Sequence, residues 1–291
     1  MIKWDAALTR ISRRSLTETI DTLAIEPPFS FSFAEAQSPM PDLISQQVEE
    51  RQPPHEIVID LPDRDVALVT DALTCITKFL HVVQSCRANA RRGALTWSVV
   101  DAYHAALLGG RAIAATMGVV PYLLGGRSYL VDFRPEFGTP QDRIKFRKTF
   151  GRQDSPILIL SPRVPHFEQN DQWHLVSRLL RFALHDIEDA SRLELLIEAA
   201  VNFPGEIRNA VVYDSLKWIW RADSSSLSQE TLDPSKIAET LSENPAGTQF
   251  LDRIFSQVQE QFRVLASKVG LSSNSVPRSI DLAPSPHLLA A

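Results

Sequence analysis

The sequence predicts a mainly α protein: a helical bundle with a small β-containing insertion and irregular N- and C-terminal arms. Three observations lead there. Residues 65–89 and 99–117 repeat apolar or small side chains at the three-to-four spacing of a helix. Between residues 119 and 170 that spacing gives way to short apolar runs punctuated by Pro and Gly. Both ends of the chain are rich in residues that resist regular packing. With 291 residues, 44% hydrophobic and 22% charged, the chain can bury a core in one large domain or two small ones.

Residues 1–62 read as an irregular N-terminal arm. A short helix fits Ile11 to Ile25, and Pro27, Pro28, Pro39, Pro41, Pro53 and Pro54 then interrupt regular structure. Glu56 to Leu61 reads as a strand stopped by Pro62. The bundle spans 63–220, with the insertion at 119–170. Its first helix starts at Asp63 or Asp65, and Val66, Val69, Leu73, Ile76, Leu80 and Val83 form its buried stripe. Cys75 and Cys86 lie near one face of this helix, roughly 16 Å apart at ~1.5 Å per residue, too far to bond. In the second helix, Ser98 and Asp101 suggest a capping-box-like start and Gly118 a stop. Ala102, Ala106, Gly110 and Ala114 make a small-residue ridge. Glycine inside a helix costs about 1 kcal/mol against alanine, so close approach of another helix is the expected reason for it.

The insertion shows two strands, Ser128 to Phe133 and Pro156 to Leu160. From Arg127 to Arg152 it carries seven Lys+Arg against three Asp+Glu. Helices resume at Asp171, with Trp173, Val176, Leu179, Leu180 and Ala183 on one face, and continue over 189–202 and from Pro204 to Trp220. Residues 221–270 read as a linker, rich in Ser, Pro, Asp and Glu to 248, and a last amphipathic helix from Phe250 to Val269 ending at Gly270. The tail over 271–291 reads as disordered.

The net charge of −5 argues against bulk electrostatic attachment to nucleic acid, though not against a local basic patch. Two cysteines exclude a disulfide scaffold and a four-cysteine zinc site. No apolar run approaches the ~18 residues of a membrane span, and the first residues lack the apolar core of a signal peptide. The expectation is a soluble cytoplasmic protein with no membrane contact. Phosphate-cradling GxxxxGK[ST], dinucleotide GxGxxG, HExxH and GxSxG patterns are absent, and no metal or cofactor is expected. His185 to Asp189 holds several potential ligands, but adjacent residues diverge around a helix, so a solvated turn is the better reading.

The segment Phe203-Pro204-Gly205-Glu206-Ile207-Arg208-Asn209-Ala210-Val211-Val212-Tyr213 carries the chemistry of interest. Asn209 and Tyr213 are i, i+4 neighbours and Arg208 shares their rim, grouping a cation, an amide and a phenol. A guanidinium fork suits phosphate. The same trio also suits a structural anchor between helices, with Trp218 and Trp220 in the core. Tyr103-His104 at the head of the small-residue helix reads as packing or as a further candidate, and His185 is another. Arg143, Lys145, Arg147 and Lys148 form a basic stretch suited to phosphate if it flanks the Arg208 cleft.

Asp101-Ala102-Tyr103-His104-Ala105-Ala106 and Gly110-Arg111-Ala112, with Arg208-Asn209-Ala210-Val211-Val212-Tyr213, resemble the HEPN superfamily of helical nucleotide- and RNA-acting proteins, and within it the YaaC-like branch. The resemblance covers residues 65–220 around the insertion. It implies a homodimer, or pairing with a neighbour-encoded protein, in a bacterial defence or toxin–antitoxin setting. It also implies metal-independent cleavage of RNA, in which arginine holds the scissile phosphate and histidine moves protons. Carried over, Arg208 is the phosphate binder and Asn209 the orienting group, but Tyr213 stands where the motif has histidine. A phenol with pKa about 10 is a poor base at neutral pH, whereas imidazole titrates near ~6.5. Arg178…His185 fits a looser form of the motif without the Asn. The competing expectation is a non-catalytic helical interaction module with a degenerate site.

Overall fold

The computed structural model describes residue 4 and residues 16–32, 38–48, 55–135, 147–148, 155–161, 166–183 and 245–271. In chain order the elements are α1 (Leu16–Asp21), α2 (Met40–Val48), β1 (His55–Asp60), α3 (Arg64–Arg91), α4 (Leu95–Thr116), β2 (Val119–Leu124), β3 (Arg127–Asp132), β4 (Pro156–Ser161), α5 (Gln169–Ala183) and α6 (Pro245–Val269). The fold is mainly helical with one small antiparallel sheet. The helices expected at 189–202 and 204–220, most of the linker and the tail lie outside the described residues.

The small-residue helix is the centre of the bundle. α3, α5, α6 and β2 all pack on α4. Ala102, Ala105, Ala106, Ala112, Ala114 and Ala115 are buried along it. A Cβ at Gly109 would stand 2.7 Å from Cγ2 of Ile254 on α6 and 3.2 Å from the Phe79 ring on α3. A Cβ at Gly110 would stand 2.9 Å from Cγ2 of Val176 on α5. The adjacent glycines thus admit different helices, which offsets their unfavourable helix propensity.

α3 and α4 form an antiparallel hairpin closed at Gly93 (φ 74°), where the amide of Ala94 donates to Asn89 O. Across it the Ser98 hydroxyl donates to Cys86 O at 2.9 Å, and Asn89 Nδ2 donates to Asp101 Oδ2 at 2.8 Å. This corrects the expected start of the second helix. Ser98 and Asp101 do not cap it, because both are spent on α3; α4 begins at Leu95 after an N-cap Ala94 that gives no side-chain hydrogen bond. The stop holds: Gly118 (φ 82°) follows the helix and its amide donates to Ala115 O. α3 is buried more broadly than one stripe, through Ala67, Leu68, Ala72, Phe79 and Cys86 as well, while Val66 of the expected stripe is exposed. By length and composition Arg64–Asn89 does meet the requirement for a membrane span, contrary to the sequence expectation. Half of its most apolar 18-residue window is buried inside the protein. The two cysteines are free.

The sheet has the order β1-β4-β3-β2, all neighbours antiparallel. It is therefore not a self-contained insertion. β4 is buried at every position from Ile157 to Ser161, so it needs a partner on each side, and β1 from before α3 supplies one. β2, which the sequence reading missed, contains Pro121. A strand proline is tolerated on an edge, and β2 pairs only with β3 among the described strands. Gly125 (φ 56°) and Gly126 (φ 75°) make the two-residue β2–β3 turn, whose twist requires positive φ at both positions.

The N-terminal arm is more ordered than its prolines suggest. Pro39 and Pro41 begin α2 rather than break it: the Met40 amide donates to Ser38 Oγ at 3.2 Å and the Leu43 amide to Pro39 O. The Phe29 amide donates to Val269 O at 2.8 Å, so the arm caps the C-terminus of α6. Gly270 (φ 63°) ends that helix as expected, and a Cβ there would meet Pro27 at 2.9 Å. α6 itself starts at Pro245, inside the stretch read as linker. Trp4 is fully buried, donating from its indole to His166 O at 3.0 Å.

Candidate functional site

Arg208, Asn209, Tyr213, His185, Arg143 and Lys145 lie outside the described residues. Arg147 and Lys148 are exposed on a short helical stretch. Tyr103 is buried on α4, and its hydroxyl donates to Gln169 Oε1 at the head of α5. Its ring stands edge-on to His104, centroids 5.4 Å apart, and His104 is exposed. Tyr103 thus ties α4 to α5, leaving His104 at the surface.

One turn and more down the same interface, Gln172 of α5 is 2% exposed. Its Nε2 donates to Leu107 O at 2.5 Å and its Oε1 accepts from Arg111 Nε at 2.9 Å. Arg111 is exposed.

A second cluster was missed by sequence reasoning. Asp71 of α3 is 5% exposed and accepts a hydrogen bond from the Tyr122 hydroxyl of β2. Ser38, just before α2, lies 3.4 Å from the same hydroxyl through its Oγ. Three elements distant in sequence meet at one carboxylate. Burial lifts the Asp71 carboxyl from 3.8 to about 6, against the opposing pull of hydrogen bonds from Tyr122 and Ser38 and of the Lys78 charge. Burial, and then the neighbouring Asp71, also raise Tyr122 well above the ordinary phenol. Cys75, one turn beyond Asp71, is pushed up to about 11 by burial and by Asp71, with Lys78 and Arg111 acting the other way. Its thiol stays protonated and unreactive at neutral pH. The sequence signal was a carboxylate inside an apolar line, Leu68-Asp71-Cys75-Phe79, running beside the recognised stripe.

A third polar node holds the arm. Asp65 Oδ1 pairs with Arg134 Nη2 at 2.7 Å, and Asp65 Oδ2 accepts from the Ala24 amide at 2.9 Å. Arg134 also donates to Thr22 Oγ1 and Thr22 O. Asp65 therefore ties the arm and Arg134, just beyond β3, to the start of α3, where it also pairs with Arg64 at 3.4 Å. Near the same end, a cleft of about 430 Å³ is lined by Ile20, Asp21, Arg263, Val264, Ser267 and Lys268. Its cations are engaged: Lys268 donates to Asp21 O and Arg263 pairs with Glu260. Among the described residues no group of three or more His, Cys, Asp or Glu stands ready to hold a metal ion.

No protein-family model, curated protein or solved structure matches the chain.

Proposed function

We propose that the chain is a HEPN-like helical protein that acts on or senses RNA or a nucleotide, as part of a bacterial defence or toxin–antitoxin system. The feature that carries this reading is the sequence run Arg208-Asn209-Ala210-Val211-Val212-Tyr213, whose spacing on a helix would bring a guanidinium, an amide and a phenol to one rim. Arg208 grips a phosphate as a charged fork, Asn209 orients it, and Arg143, Lys145, Arg147 and Lys148 hold neighbouring phosphates. The glycine-packed helix α4, the other part of the resemblance, supports the reading as the centre of a tightly packed bundle. In cleavage the 2′-hydroxyl loses its proton and attacks phosphorus while the leaving oxygen gains one. Tyr213, protonated at neutral pH, suits only the second of these transfers.

Labelled RNA incubated with the protein and with Arg208→Ala tests the reading. Binding or cleavage by the parent that the variant loses is the expected result. Equal behaviour of the two removes it.

The second reading is a non-catalytic interaction module. Tyr213 in the place of histidine favours it, as do the acidic balance and the proline-rich arms. Co-purification with a neighbour-encoded protein is its expected outcome, and a lone monomer at every concentration counts against it.

A further inference from the structure

Two buried carboxylates lie on α3, and they are treated differently. Asp65 pairs with Arg134 at 2.7 Å and with Arg64 at 3.4 Å. Asp71 is 5% exposed and forms no ion pair among the described residues. Its cover comes from elsewhere in the chain. The Tyr122 hydroxyl of β2 donates to Asp71 Oδ2, and Ser38 Oγ lies 3.4 Å from that hydroxyl. Tyr122 has one hydroxyl proton, and Asp71 takes it. Ser38 is therefore the donor in its contact with Tyr122, and a directed line of hydrogen bonds runs from Ser38 through Tyr122 to Asp71. The same Ser38 Oγ accepts from the Met40 amide at 3.2 Å, so the atom that caps α2 also ties it to the carboxylate.

α2 is weakly held by anything else. Its nine residues fall short of the ~12–15 that an isolated helix needs, and among the described elements it packs chiefly on β2. The chain on either side is fixed independently: the Phe29 amide donates to Val269 O, and β1 is paired with β4. α2 can therefore lift while those anchors stay. The groups that face Asp71 are Lys78 and Cys75 from α3, Tyr122 from β2 and the Ser38 hydroxyl from the arm. Asp42, the acid in the first turn of α2, is exposed. Cys75 and Tyr122 are both shifted upward and stay protonated at neutral pH, whereas Asp71 titrates at about 6.

We propose that α2 is a pH-sensitive strap: over a protonated Asp71 the Ser38–Tyr122 tie stays closed, and ionisation of Asp71 lifts α2 from β2. A neutral carboxyl tolerates burial and still offers Tyr122 an acceptor oxygen. An ionised one with no cation beside it gains by solvation, and lifting Ser38 with α2 is a small movement that admits water. The release bares β2, which has one neighbour among the described strands and carries the exposed Leu123. This inference is independent of the phosphate reading above.

Hydrogen–deuterium exchange of the full chain at pH 5 and pH 7.5 tests the strap, with each rate divided by the intrinsic rate at that pH and peptides from α2 and α4 compared. The carboxyl titrates at about 6 when covered and near 3.8 when solvated, so ionisation favours opening more strongly at the higher pH. In the parent, α2 is expected to be less protected than α4, as a locally opening element, and to lose about tenfold in protection from pH 5 to pH 7.5. In Asp71→Asn, which keeps the acceptor and never ionises, α2 is equally protected at both. Ser38→Ala cuts the tie and lowers the protection of α2 at both. Equal protection of α2 and α4 in the parent means that α2 opens only with the whole fold, and overturns the strap. So does protection of α2 that is independent of pH in the parent, or an equal fall in Asp71→Asn. Parent-like protection of α2 in Ser38→Ala overturns the tie and the strap with it.

Discussion

Replacing Asp71 by Asn removes a charge that the fold holds at a cost. The carboxyl is raised from 3.8 to about 6, burial being the largest cause. A raised carboxyl binds its proton more tightly in the folded than in the unfolded chain. Its contribution to stability is therefore fully present below about 3.8 and is lost as pH rises through about 6. At ~1.36 kcal/mol for each pH unit between the folded and unfolded values, the loss is on the order of 3 kcal/mol. Asparagine mimics the protonated acid: it keeps an acceptor oxygen for Tyr122 and carries no charge. Urea unfolding of parent and Asp71→Asn at pH 4, 5, 6 and 7 isolates this group, since all other titrations cancel in the difference. The two proteins should be equally stable near pH 4, and the variant should gain steadily to about 3 kcal/mol at pH 7. A difference that stays constant over this range, or a variant less stable at pH 7, would refute the reasoning. The ionised carboxylate would then be a net stabilising acceptor for Tyr122 and Ser38.

Four further outcomes are expected, all measurable by the same unfolding experiment. Gly109→Ala destabilises by about 1–3 kcal/mol despite alanine's better helix propensity, because its Cβ meets Cγ2 of Ile254, a β-branched side chain stiff about χ1. Asp65→Ala removes the carboxylate paired with the largely buried Arg134 guanidinium and the acceptor of the Ala24 amide, and costs about 3–5 kcal/mol, far more than an exposed ion pair would. Thr116→Val removes the hydroxyl that donates to Oε1 of the fully buried Gln261 on α6 and costs about 1–3 kcal/mol. Gly126→Ala meets nothing within 4 Å, yet its φ of 75° makes alanine unfavourable by about 1 kcal/mol, so strain alone accounts for the loss.

What the sequence determined by itself was helix character and close packing. The apolar spacing of α3, the glycines of α4 and the glycine stops at Gly118 and Gly270 are local signals, and each corresponds to a local constraint: a buried face, a close approach or a positive φ. The strands β3 and β4 were legible for the same reason, as short runs apolar on both faces. Tertiary structure alone decided which segments meet. β1 crosses α3 and α4 in sequence to flank β4, Pro121 becomes acceptable because its strand lies on an edge, and Pro39 and Pro41 open a helix instead of breaking one. Ser98 and Asp101 matched a capping pattern but went to partners on α3. Asp71, Tyr122 and Ser38 carried no shared motif, since 84 residues separate the hydroxyls of Ser38 and Tyr122. Polar side chains take whichever donor or acceptor burial leaves nearest, and that choice is made in space, after the helices and strands have packed.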